Sequence, residues 1–179
     1  MAHMWNRRAA AAALLAALAF AACKGKQTVK LDVTDEEGPR ISSIVHMGDP
    51  KSETQLLNGF YGIEQNSWRW TAQKFSVVLR PPAGAAQKGA VLNLQLAVAD
   101  PTIAQLKTIA LSASVGGAAL PPETYTQAGP YTYTRDVPAS QLAGEAVRID
   151  FQLDKTLPPN GADRRELGLI VNSVALDAK

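Results

Sequence analysis

The sequence predicts an all-β fold, two antiparallel sheets packed as a β-sandwich, preceded by an N-terminal segment that does not belong to it. Three observations predict this. Short runs alternate apolar and polar residues with a period of two, and Gly and Pro pairs punctuate them. No stretch has the length and 3.6-residue period of a crossover helix.

Residues 1–22 have the three parts of a secretory signal helix: a positive head at Arg7 and Arg8, an uncharged apolar stretch from Ala9 to Phe20, and the small residues Ala21 and Ala22. The apolar stretch is well short of the roughly 20 residues needed to cross a bilayer. The run Phe20-Ala21-Ala22-Cys23 resembles the lipobox of bacterial lipoproteins, with Phe20 where Leu is usual. That resemblance implies lipidation of the Cys23 sulfur, cleavage before it and acylation of the new amino group. Several acyl chains give stable membrane attachment where one gives only marginal binding. Cys23 is the chain's 1 cysteine, so no disulfide forms within it. Lys24 follows the cysteine where Asp would resemble an inner-membrane retention signal. The expected location is therefore the outer membrane, facing the periplasm.

Loss of Arg7 and Arg8 with the signal brings the 18 basic residues down to 16, equal to the 16 acidic ones. A chain with no net field has no electrostatic means of collecting nucleic acid. Residues 23–29 read as a tether from the lipid, and residues 30–179 as a single β-sandwich domain, a usual length for one core.

Taken in order, Lys30 to Val33 alternates, as does Arg40 to Ile44 with one slip, and Asn93 to Val98 does so cleanly. Ile109 to Val115 alternates and then meets Gly116-Gly117, a pair suited to the positive φ angles of a tight hairpin. Tyr131 to Thr134 is rich in β-formers, and Val147 to Leu153 puts apolar residues on one face. The more continuously apolar Leu167 to Leu176 reads as a central strand. Pro81-Pro82, Pro121-Pro122 and Pro158-Pro159-Asn160-Gly161 read as loops, and only Pro101 to Lys107 as helix.

No catalytic constellation is visible, and the expectation is a non-enzymatic protein without metal or cofactor. His46 is the single histidine after the signal, beside the turn Met47-Gly48-Asp49, and no serine sits in a nucleophile elbow. The acidic run Asp32, Asp35, Glu36 and Glu37 offers oxygen ligands for calcium but lacks a loop-motif spacing, so a solvated turn is the better reading.

Two stretches stand out: Gly59-Phe60-Tyr61-Gly62-Ile63-Glu64 with Trp68-Arg69-Trp70-Thr71, and the charged turn Asn160 to Gly168. Alternation places Trp68 and Trp70 on one strand face and Arg69 on the other. Together the stretches resemble β-sandwich, jelly-roll-like domains appended to bacterial glycosyltransferases and cell-envelope glycan proteins. Those domains pair a Gly-aromatic-Tyr-x-x-Glu segment and an Arg-Trp-Thr strand with a late Asp-x-Arg-x-Leu-Gly segment. The matching residues here are Gly59, Tyr61, Glu64, Arg69, Trp70 and Thr71, then Asp163, Arg165, Leu167 and Gly168.

The resemblance implies a fold related to carbohydrate-binding modules. The candidate ligand-binding residues are Tyr61, Glu64, Asn66, Trp68 and Arg69, an apolar platform beside groups that bond hydroxyls. Tyr131 and Tyr133, on one strand face, are a second candidate platform or simple sheet packing. In the competing view Trp70 fills the core while Glu64, Arg69, Asp163 and Arg165 form a structural polar cluster tying two loops together. Two functions fit: an envelope lipoprotein binding glycan, or a structural or assembly lipoprotein binding a protein partner through a sheet face or edge.

Overall fold

The computed structural model describes residues 40–179. The signal, Cys23, the tether, the alternation at Lys30 to Val33 and the acidic run from Asp32 to Glu37 lie outside the described residues. Nine strands follow in chain order: β1 (Ile44–His46), β2 (Leu56–Phe60), β3 (Arg69–Leu79), β4 (Ala90–Val98), β5 (Ile109–Val115), β6 (Ala118–Tyr125), β7 (Gly129–Val137), β8 (Val147–Leu153) and β9 (Ile170–Ala178). Two short helices, α1 (Ala85–Lys88) and α2 (Asp100–Leu106), and two 3₁₀ turns, Pro50–Gln55 and Ala139–Gln141, complete the described elements.

All the pairings are antiparallel, and they form a nearly closed β-sandwich. One sheet pairs β7 with β4 and β4 with β9, whose far edge is shared by β1 and the first residues of β3. The other runs β2, β3, β8, β5, β6. Strand β3 thus changes sheets along its length: Arg69 and Trp70 pair with β9, while Lys74 to Leu79 pair with β8.

Alternation explains the core. In β4, β5 and β8 every second side chain is buried, so Leu92, Leu94, Leu96, Ile109, Leu111, Ile149 and Phe151 meet between the sheets. Phe75 stacks on Phe151 at 4.9 Å and takes the edge of Phe60 at 5.4 Å. Strand β9 is central in its sheet, which accounts for its continuous apolar run.

Gly116 and Gly117 have φ of 56° and 87° and turn β5 into β6. Two expectations need correction. Pro121 and Pro122 do not mark a loop: they lie inside β6, an edge strand, where the register with β5 slips between Leu111 and Ala113. Pro is tolerated at an edge or a bulge because no ladder donor is needed there. The alternating run Arg40 to Ile44 becomes strand only at its last residue, because the strand proper is Ile44–His46.

Candidate functional site

The hairpin joining β2 to β3 carries most of the sequence-selected residues. Glu64 and Trp68 form an isolated antiparallel bridge, with the Glu64 amide donating to the Trp68 carbonyl at 2.8 Å and the Ser67 amide to the Glu64 carbonyl at 3.1 Å. Between them Gln65 and Asn66 have φ of 51° and 53°, the two left-handed residues of a type I′ turn. The turn is supported from below. A Cβ on Gly48 would lie 2.4 Å from the Asn66 carbonyl oxygen, so only glycine lets the Met47-Gly48 turn pass so close.

Trp68 and Trp70 lie half-buried, edge to face, with ring centroids 6.0 Å apart. Trp70 does not fill the core: it stands on the outward face of β3, paired with Ile170. The inward side chain at this end is Arg69, 4% exposed. Its Nε donates to the Met47 carbonyl at 3.1 Å, Nη1 to the Tyr61 carbonyl at 3.1 Å and Nη2 to Glu53 Oε2 at 2.6 Å. Its partner is therefore Glu53, on the 3₁₀ turn after β1, and not Glu64 or Asp163.

Those two carboxylates meet Arg165 instead. Arg165 Nη1 donates to Glu64 Oε1 at 2.8 Å, and Nη2 and Nε reach the two oxygens of Asp163 at 2.8 and 3.0 Å. The Arg165 guanidinium also sits 5.2 Å from the Tyr61 ring centre, within cation–π reach. Hydrogen bonds from the Arg165 side chain and amide hold the Asp163 carboxyl down to about 2, while both carboxylates raise Arg165. Partial burial and then the Glu166 charge push the Tyr61 phenol up, against Arg165. A carboxylate held ionised so far below neutrality is a poor proton donor, so Asp163 behaves as a counter-ion of Arg165, the guanidinium that Glu64 also pairs with.

The rest of the motif is a lock between β3 and the segment entering β9. The Gly168 amide donates to the Thr71 carbonyl at 2.7 Å, and the Leu169 amide to Thr71 Oγ1 at 3.0 Å. A Cβ on Gly168 would come within 2.6 Å of that oxygen, which is why glycine stands there. Tyr133 is fully buried, and Tyr131 packs against the core with its ring 4.7 Å from Tyr125, so these tyrosines pack the sheet and form no platform.

Sequence reasoning missed Glu53, Gln95 and Asn172. Glu53 left no signal. Asn172 did: Val171-Asn172-Ser173-Val174 puts two polar residues in succession in an apolar strand, the mark of a bulge, and the register of β4 with β9 slips there. Among the described residues no group of three or more His, Cys, Asp or Glu could hold a metal ion.

No protein-family model matches the sequence, and no curated protein matches it. Among solved structures the chain is similar to the CBM36-1 domain of a multidomain xylanase from the hindgut metagenome of Trinervitermes trinervoides. The TM-score is 0.43 and the identity 14%, over 76% of this chain and 96% of that one.

Proposed function

We propose that this protein is a non-enzymatic envelope lipoprotein, anchored through Cys23 in the outer membrane and facing the periplasm, whose β-sandwich binds carbohydrate at the β2–β3 hairpin. One observation carries the carbohydrate reading. The half-buried indoles of Trp68 and Trp70 stand on a braced hairpin whose turn exposes the amide and hydroxyl groups of Gln65, Asn66 and Ser67. Aromatic faces beside uncharged donors and acceptors match a sugar ring, which is apolar across its C–H faces and polar around its rim. Of the five candidate ligand residues, Asn66 and Trp68 present themselves to a ligand. Tyr61 and Glu64 are held by Arg165, and Arg69 points inward as support.

Trp68→Ala is expected to weaken glycan binding by about 1 to 3 kcal/mol. The lost edge contact with Trp70 should cost only about 1 kcal/mol of stability. Titration calorimetry beside thermal melting separates the two effects. A full-length protein that binds no envelope glycan sinks the carbohydrate reading in favour of a protein partner. The anchor has its own test: radiolabelled palmitate should enter the wild type and not Cys23→Ala, and an unlabelled wild type overturns it.

A further inference from the structure

The register of the sheet built from β1, β9, β4 and β7 places two contrasting rows side by side on its outer face. Directly opposed residues share a face, so pairings can be read across all the strands. Trp70 opposes Ile170, Ile170 opposes Ala97 and Ala97 opposes Pro130, giving an apolar row that begins at the hairpin tryptophans. His46 opposes Ser173, Ser173 opposes Gln95 and Gln95 opposes Thr132, giving a polar row next to it. Asn172 is the bulged residue between them.

Two depressions follow these rows. One of about 390 Å³ is bounded by His46, Asn66, Gln95, Asn172 and Ser173, and one of about 290 Å³ by Gln95, Asn172, Pro130 and Thr132. They share Gln95 and Asn172, so they form one shallow channel from the hairpin to β7. Among the described residues no hydrogen bond engages the side chains of Asn66, Gln95, Thr132 or Asn172. The row beyond is different, because Asn93 there is already bonded to Thr134 and Asp177 at 2.7 Å. The channel's polar groups are therefore unspent.

From this arrangement we infer that the channel is the binding groove of the carbohydrate site, and that its ligand is a neutral, linear glycan lying across the strands. The inference rests on the carbohydrate reading and extends it from the hairpin over the sheet. Among the described residues no Lys or Arg lines either depression, so none of the lining groups offers the charge-assisted bonds that a phosphate, a uronate or a nucleic acid takes. Asp49, the one carboxylate among the described residues of the channel, accepts the Lys51 amide at 2.9 Å. A protein partner needs an apolar centre ringed by polar groups. Here the apolar residues form a single narrow row beside an equally long polar one, which suits a chain of rings with C–H faces on one side and hydroxyls on the other. Strands lie about 4.8 Å apart, close to the length of one sugar unit, so four strands span about 14 Å and hold about three units.

The test is calorimetric titration of the full-length protein in detergent with neutral cello-, xylo- and chito-oligosaccharides. Affinity should rise from disaccharide to trisaccharide and level off at tetrasaccharide. Gln95→Ala and Thr132→Val, both at exposed positions, should each weaken trisaccharide binding about fivefold, the effect of one lost neutral hydrogen bond. Gln152→Ala, on the opposite sheet, should leave binding unchanged. If the wild type binds no glycan, the carbohydrate reading and the groove fall together. If binding is lost in Trp68→Ala but unchanged in Gln95→Ala and Thr132→Val, the groove is overturned and the hairpin site stands. If Gln152→Ala and Lys74→Ala are the variants that lose binding, the ligand lies on the other sheet and the groove is again overturned.

Discussion

Two guanidinium groups brace the same hairpin from two regions of different character. Arg69 lies on the inward face of β3 with 5% of its side chain exposed, and it holds the hairpin's first residue through the Tyr61 carbonyl. Arg165 lies in the loop before β9 with 33% exposed, and it holds the turn through Glu64. The first serves two carbonyls and one carboxylate, the second two carboxylates and a ring. The contrast teaches that one sequence motif has divided into a buried anchor and a rim clamp. Chemistry alone does not tell the two apart, and burial decides what each contributes.

The largest expected effect is on the buried side. Arg69→Ala should destabilise the fold by about 3 kcal/mol, because it leaves a cavity and strands the Met47 and Tyr61 carbonyls. Glu53 adds little to that loss, since its side chain is 67% exposed and water can replace the guanidinium. Arg69→Lys should recover only part of the loss, because one ammonium cannot reproduce a planar fork aimed at three acceptors. Chemical denaturation measures both variants, and a cost below about 1 kcal/mol for Arg69→Ala would erase the contrast.

The rim clamp should matter less and should show itself through pH. The Asp163 carboxyl is lowered to about 2 from its ordinary 3.8, first by the Arg165 side chain and then by the Arg165 amide. A depressed carboxylate stabilises the fold fully above its unfolded value and loses that contribution as pH falls through the folded one. The window is therefore about pH 4 down to about 2. Asp163→Asn should flatten the acid limb of the stability curve in that window, because the variant lacks the contribution already at pH 7, where it should be less stable than the wild type, and should converge with the wild type near pH 2. Arg165→Ala should cost under about 1 kcal/mol at neutral pH, as exposed ion pairs do. A steep acid limb that survives in Asp163→Asn would assign the effect to another carboxylate.

The fold was largely legible because alternation is a local property: Val147 to Leu153 and Ile109 to Val115 are strands over those very residues. Alternation also set Arg69 on the face opposite the tryptophans. Its partner was not legible, since Glu53 stands 16 residues earlier and arrives by way of a 3₁₀ turn capped by Asp49. The sheet change within β3 was hidden for a related reason, as pairing partners belong to the tertiary structure and not to the strand. Pro121-Pro122 misled because the rule against Pro in a ladder holds for central strands and relaxes at an edge. Of the site, the hairpin was visible through its aromatics. The rows across β1, β9, β4 and β7 were not, because a row exists only once three registers are known.

The smallest effect tests whether two anchors leave the turn between them under strain. Gln65 is left-handed with φ of 51°, a conformation that costs an L residue without a favourable local hydrogen bond roughly 1 kcal/mol. Gln65→Gly removes that cost but frees the unfolded chain, which returns about 0.5 to 1 kcal/mol. The net should be a gain of a few tenths of a kcal/mol, near the limit of a denaturation measurement. Asn66→Gly should gain less, since Asn tolerates the left-handed region, and it should lower glycan affinity by removing an exposed amide. The comparison sharpens in the Arg165→Ala background. With Glu64 released and only the Tyr61 carbonyl still held by Arg69, the turn can relax, and the gain from Gln65→Gly should vanish. If the gain is the same in both backgrounds, the two arginines do not jointly hold the turn, and its left-handed pair is set by the Gly48 contact beneath it.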